Sequence, residues 1–143
     1  MRVVLTALLA LTLGACNPAP SSLARVSLGI SNGTTLPVTL FVNGERVAYF
    51  PPGGPPPAID PTLLPPLPWT VEARSPSGRV LTTMRVEPGD VQTTMLPGGG
   101  VEHSAPFARV DLSCGRLTIW AGDLEPSGPA PEPSSGAPGD CAQ

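Results

Sequence analysis

The chain has 143 residues, room for one small domain, with 21 Pro, 16 Gly and an aromatic share of only 4%. Its formal net charge is −3, and all eight basic residues are arginine, which reads as genome composition rather than chemistry. The charges are spread along the chain without a basic patch, so electrostatics argues against nucleic acid and nominates no other partner.

Residues 1–16 read MRVVLTALLALTLGAC. Arg2 supplies a positive start, and residues 3–13 are uncharged and mostly apolar. As a helix, eleven residues reach only about 17 Å, short of a hydrocarbon core of roughly 30 Å. A signal segment fits better than a membrane span. The sequence Leu13-Gly14-Ala15-Cys16 resembles the lipobox of bacterial lipoproteins, in which small residues precede the cysteine that receives lipid. The resemblance implies removal of residues 1–15, a diacylglyceryl (palmitate-type) anchor on Cys16, and attachment to the outer face of a bacterial membrane. Each buried CH₂ of such a chain contributes about 0.8 kcal/mol, so two or more chains hold firmly. The competing readings are an ordinary secreted protein and an uncleaved anchor. Without residues 1–15, seven Arg face eleven acids, a net charge of −4.

Three cysteines are an awkward number for an exported protein. Giving Cys16 to lipid leaves Cys114 and Cys141, which an oxidising compartment would join as a disulfide. A metal pair is the alternative, but a single histidine and no ligand cluster oppose it. No metal or other cofactor is expected.

Residues 16–24 are expected to form the lipidated cysteine and a short polar tether. Two-residue alternation then begins, with Val26, Leu28 and Ile30 on one face. Next comes LPVTLFV-NG-ERVAYF, where Asn43-Gly44 between β-rich runs predicts a type I′ hairpin. A regular two-residue loop would pair Val42 with Glu45, Leu40 with Val47 and Val38 with Tyr49 on one face. Phe41 with Arg46 and Thr39 with Ala48 would share the other.

Residues 51–68 are too rich in proline for a central strand or a helix, and predict a long extended loop pinned through Ile59, Leu63 and Leu64. A second hairpin follows around Pro76-Ser77-Gly78. Val71 and Trp69 would face either Met84 and Val86 or Thr82 and Met84, respectively, and the sequence leaves this register open. Further strands are expected in VQTTML, VEHS, FARVDLS and CGRLTIWAG, with Leu117 and Ile119 on one face and Thr118 and Trp120 on the other. No segment has sustained helical periodicity. Short strands between regular turn signals predict an all-β fold, a small antiparallel β-sandwich of about seven strands over residues 25–120. Residues 121–143 have linker composition and are expected to form an irregular arm tied back by Cys141.

The order of features in residues 36–81 resembles small extracytoplasmic β-domains of the PEGA type. A Val-Asn-Gly hairpin leads through Pro-Pro-Gly to a Trp-led strand and a Ser-Gly-Arg turn. The proline insertion at 51–68 departs from that pattern. The resemblance implies an adhesion or scaffold module rather than an activity.

Catalytic residues are not identifiable. His103 is the single histidine; Ser104 and Asp111 can be named beside it, but no Gly-x-Ser-x-Gly elbow accompanies them. Pro97-Gly98-Gly99-Gly100 lacks the lysine of a phosphate loop and reads as a turn. Asn32-Gly33-Thr34 fits a glycosylation sequon, of little weight in a bacterium. Trp69 and Trp120 suit core packing better than a binding platform. Three functions follow in order: a non-enzymatic binding or scaffold module at the membrane, an accessory subunit docking with an envelope protein, and a hydrolase whose site is not visible.

Overall fold

The computed structural model describes residues 26–54, 59–124, 134–135 and 141. It is all-β. Strands β1 (Leu28–Asn32), β2 (Val38–Val42), β3 (Glu45–Phe50), β4 (Trp69–Arg74) and β5 (Val80–Val86) are followed by β6 (Gln92–Met95) and β7 (Val101–Ser104). Then come β8 (Phe107–Leu112), β9 (Gly115–Ala121) and the two-residue β10 (Ser134–Ser135). Two four-stranded sheets, ordered β1-β9-β8-β10 and β3-β2-β4-β5, enclose one core. The two main sheets contain seven long strands, as the turn spacing predicts. Strands β6 and β7 are not among them: they pair with each other as a separate ribbon.

The core follows the two-residue alternation. Leu28 and Ile30 of β1, Val38, Leu40 and Val42 of β2, and Trp69, Val71 and Ala73 of β4 all point inward. Met84 and Val86, Val110, and Leu117, Ile119 and Ala121 meet them from the remaining strands. This burial is the main stabilising contribution, at roughly 25 cal/mol per Å² of apolar surface.

The first hairpin has the expected turn, with Asn43 at φ 52° and Gly44 at φ 85°. Its register departs from a regular ladder. Val42 faces Glu45 and Phe41 faces Arg46, but a bulge then shifts the pairing, so that Leu40 faces Ala48, Thr39 faces Tyr49 and Val38 faces Phe50. One extra residue on β3 reverses the inward face beyond it. Phe50 enters the core and Tyr49 stays half exposed. In the second hairpin, Trp69 faces Val86 and Val71 faces Met84, which settles the register the sequence left open.

The proline-rich loop includes a 3-10 turn, Pro61–Leu63, which the exclusion of helix did not anticipate. Asp60 accepts a hydrogen bond from the Thr62 N–H at 2.8 Å, and Pro61 takes a first-turn position where no N–H is needed. Ile59, Leu64 and Leu67 pack against the core as pins, whereas Leu63, expected to join them, is 66% exposed. The Trp69 indole N–H donates to Pro65 O at 2.7 Å, fixing the loop over the ring.

The C-terminal arm is not wholly irregular. Ser134 and Ser135 form a parallel pair with Val110 and Asp111 at the edge of the first sheet. The intervening stretches of the arm lie outside the described residues.

Candidate functional site

The sandwich has two chemically different ends. At one end Ser113 and Cys114 form the turn between β8 and β9, where Leu112 faces Gly115. Cys114 is bonded to Cys141, with Cα atoms 6.0 Å apart and 27 residues of separation. The disulfide expected from the cysteine count is therefore present. Strand β10 runs parallel to β8 and so points toward this same end.

The same end holds a buried polar corner. Asn32 Nδ2 donates to Leu36 O at 2.9 Å and to Pro51 O at 3.3 Å, while Asn32 Oδ1 accepts from the Thr34 hydroxyl at 2.7 Å. The Thr34 Oγ1 in turn accepts from the Leu36 N–H at 3.1 Å. Asn32 and Thr34 are both buried, so the sequon at this position is a structural corner with its amide protons already engaged.

At the opposite end the described chain begins. Gly122 N–H donates to Ser27 O at 2.8 Å, and the Ser27 hydroxyl donates to Asp123. A methyl placed on Gly122 would lie 3.4 Å from Ala105 Cβ and 3.5 Å from Val91 Cγ1. Val91 and Ala105 flank the two legs of the β6–β7 ribbon. The entry of the chain and the root of the ribbon are thus neighbours. Asn43 also lies at this end, where its side chain accepts from Thr70 N–H at 2.8 Å and donates to Pro68 O at 3.2 Å.

Every residue from Gln92 to Ser104 is exposed. The ribbon pairs Gln92 with Ser104, Thr93 with His103, Thr94 with Glu102 and Met95 with Val101. Beyond them the Leu96 N–H donates to Gly100 O at 2.7 Å, closing a loop whose Gly98 and Gly99 have positive φ. Exposed Met95, Leu96 and Val101 give the tip an apolar character on a ribbon that no sheet covers.

The residues nominated for chemistry are engaged separately. His103 Nδ1 lies 3.4 Å from Thr93 Oγ1 on the ribbon, and Ser104 closes the same strand. Asp111 belongs to β8 and accepts from Arg116 Nε at 2.6 Å. That guanidinium holds the Asp111 carboxyl below the usual carboxylate range, chiefly through the hydrogen bond. A general acid requires the opposite shift. Among the described residues no group of three or more His, Cys, Asp or Glu could hold a metal. Of the two tryptophans, Trp69 is in the core, while Trp120 lies half-buried across Gly29 on the other face of the first sheet.

Comparison with protein-family models, curated proteins and solved structures gives no match. Cys16, the predicted leader and the tether to residue 24 lie outside the described residues. Among the described residues, no helix is long and apolar enough to cross a membrane. Sequence reasoning counted VQTTML, and VEHS as a weaker strand, among those of the sandwich. The missed signal was their composition: alternation places Thr93 and His103 opposite each other in the middle of the face that would have to pack on a core.

Proposed function

We propose that this protein is a lipid-anchored extracytoplasmic β-module that binds or positions a partner at a membrane and has no catalytic role. One observation carries the reading: the cysteine left out of the Cys114–Cys141 bridge stands at the end of a charged, then apolar, then small-residue leader. A disulfide between the other two fits an oxidising compartment. The separate engagement of His103 and Asp111 agrees with a binding role.

The test is the intact mass of the chain extracted from its native membrane. The expected chain begins at Cys16, carries the added mass of a diacylglyceryl group, and lacks the two hydrogens lost on forming the disulfide. Cys16→Ser should move the protein from the membrane fraction to the soluble one. A natural product with unmodified Cys16 and free thiols, dissolved in the cytoplasm, overturns the reading.

A further inference from the structure

The ribbon formed by β6 and β7 stands apart from the two packed sheets. Such a two-stranded ribbon buries too little apolar surface to be stable through its own packing. This one is held at its root by Val91 packing against the core, and by Gln92 Nε2 donating to Gly89 O at 2.8 Å. Its outer part exposes apolar side chains where solubility favours polar ones. Met95 is 76% exposed, and its cross-strand partner Val101 is 50% exposed. Leu96 adds a third apolar group beside them. From Val91 to Val101 the sequence VQTTMLPGGGV has no charge.

We infer that the tip of this ribbon, Met95, Leu96 and Val101, inserts into the surface of the lipid bilayer that the anchor occupies. The inference rests on the proposed anchoring at Cys16. Position selects the occupant. The first described residue is Val26, and Ser27 is hydrogen-bonded beside the root of the ribbon, so a tether from Cys16 would join the sandwich at the end where the ribbon is rooted. Nine residues lie between Cys16 and Val26, a span of at most about 35 Å. The ribbon, at ~3.3 Å per residue, extends about 20 Å from Val91 to its loop. A membrane-held Cys16 therefore leaves the tip within reach of the same bilayer. The uncharged stretch lets three apolar side chains enter the interface without bringing in an ion. Contact at two points, lipid and ribbon, would hold the disulfide end away from the membrane.

The experiment uses the mature chain in vesicles of phosphatidylcholine, with and without bromine on the acyl chains to quench nearby tryptophan. Met95→Trp adds a chromophore at the tip, and Val80→Trp adds one at the disulfide end; the wild type supplies the background of Trp69 and Trp120. The expected result is about twofold or greater quenching of the position-95 signal and none at position 80. Replacing phosphatidylcholine with anionic lipid should leave the quenching unchanged, because the tip has no charge to attract it. Absence of quenching at 95 overturns the proposal, as does equal quenching at both positions. A position-95 signal that responds to protein concentration or to an added envelope protein, but not to bromine, does the same by identifying a protein partner. The mass of the same preparation reports the anchor independently. Lipid on Cys16 without quenching at 95 refutes the ribbon contact alone. An unmodified Cys16 refutes the anchor, and the response of position 95 to added vesicles then decides the ribbon contact by itself.

Discussion

The α-carbon of Gly115 faces the backbone of Gly33 so closely that a Cβ on Gly115 would lie 2.1 Å from Gly33 O. Gly115 follows the Ser113-Cys114 turn with φ 131°, a conformation L side chains rarely adopt. The contact brings the link between β1 and β2 onto the β8–β9 turn, where Gly33 N–H donates to Arg116 O at 2.8 Å and Thr35 N–H to Cys114 O at 3.2 Å. Gly115→Ala meets both a backbone collision and an unfavourable φ. It should lose about 3 kcal/mol, read from the urea midpoint. Gly44→Ala provides the contrast: the φ is also positive, but nothing lies within 4 Å of the added carbon. Its loss should be about 1 kcal/mol.

The bulge in the first hairpin predicts unequal roles for two adjacent aromatics. Phe50 is buried opposite Val38, whereas Tyr49 is half exposed opposite Thr39. Phe50→Ala should cost about 3–5 kcal/mol by leaving a cavity in the core. Tyr49→Ala should cost less than about 1 kcal/mol. A regular ladder would reverse the order. Paired denaturation curves distinguish the two.

These residues also show what could be read from the chain and what could not. Asn43-Gly44 announced its turn because a type I′ conformation accepts few other residue pairs. The inward faces of β2, β4 and β9 were legible because apolar residues recur there every second position. The bulge was not, because inserting one residue between Arg46 and Ala48 changes no composition and both registers keep one face mostly apolar. Leu63 illustrates the same limit: apolar residues in a proline-rich loop have no period, so which of them packs depends on the path of the loop. The cysteine pairing was legible once the lipobox resemblance set Cys16 aside and left an even pair. The ribbon's separation from the sandwich depended on seeing that Thr93 and His103 interrupt the face its strands would turn to a core.

The Asp111–Arg116 pair gives a pH signature. The hydrogen bond from Arg116 lowers the folded-state pKa of Asp111 below the ordinary carboxyl value of 3.8. A depressed carboxyl pKa contributes stability that is present above the unfolded value and disappears as pH falls through the folded one. Carboxyl-carbon NMR should place the Asp111 midpoint below 3.8, and Arg116→Gln should raise it. Because the pair lies at the surface, added salt should weaken the shift. Asp111→Asn should change stability at neutral pH only slightly, and the difference from wild type should vanish in strong acid.

The disulfide predicts the largest effect of solution conditions. Cys114–Cys141 closes a loop with 27 residues of separation. In the chain-entropy model, such a closure removes freedom from the unfolded state equivalent to roughly 3.5 kcal/mol. Only the short parallel pairing of Ser134 and Ser135 with β8 joins that arm to the sheet by strand hydrogen bonds among the described residues. Reduction should therefore lower the urea midpoint without abolishing the fold, since the apolar core contains neither cysteine. Cys141→Ser should match the reduced wild type, and reductant should no longer affect it. A reduced protein as stable as the oxidised one would mean that the unfolded chain is already as constrained as the bridge makes it. A reduced protein that unfolds completely would mean that the core cannot sustain the two sheets alone.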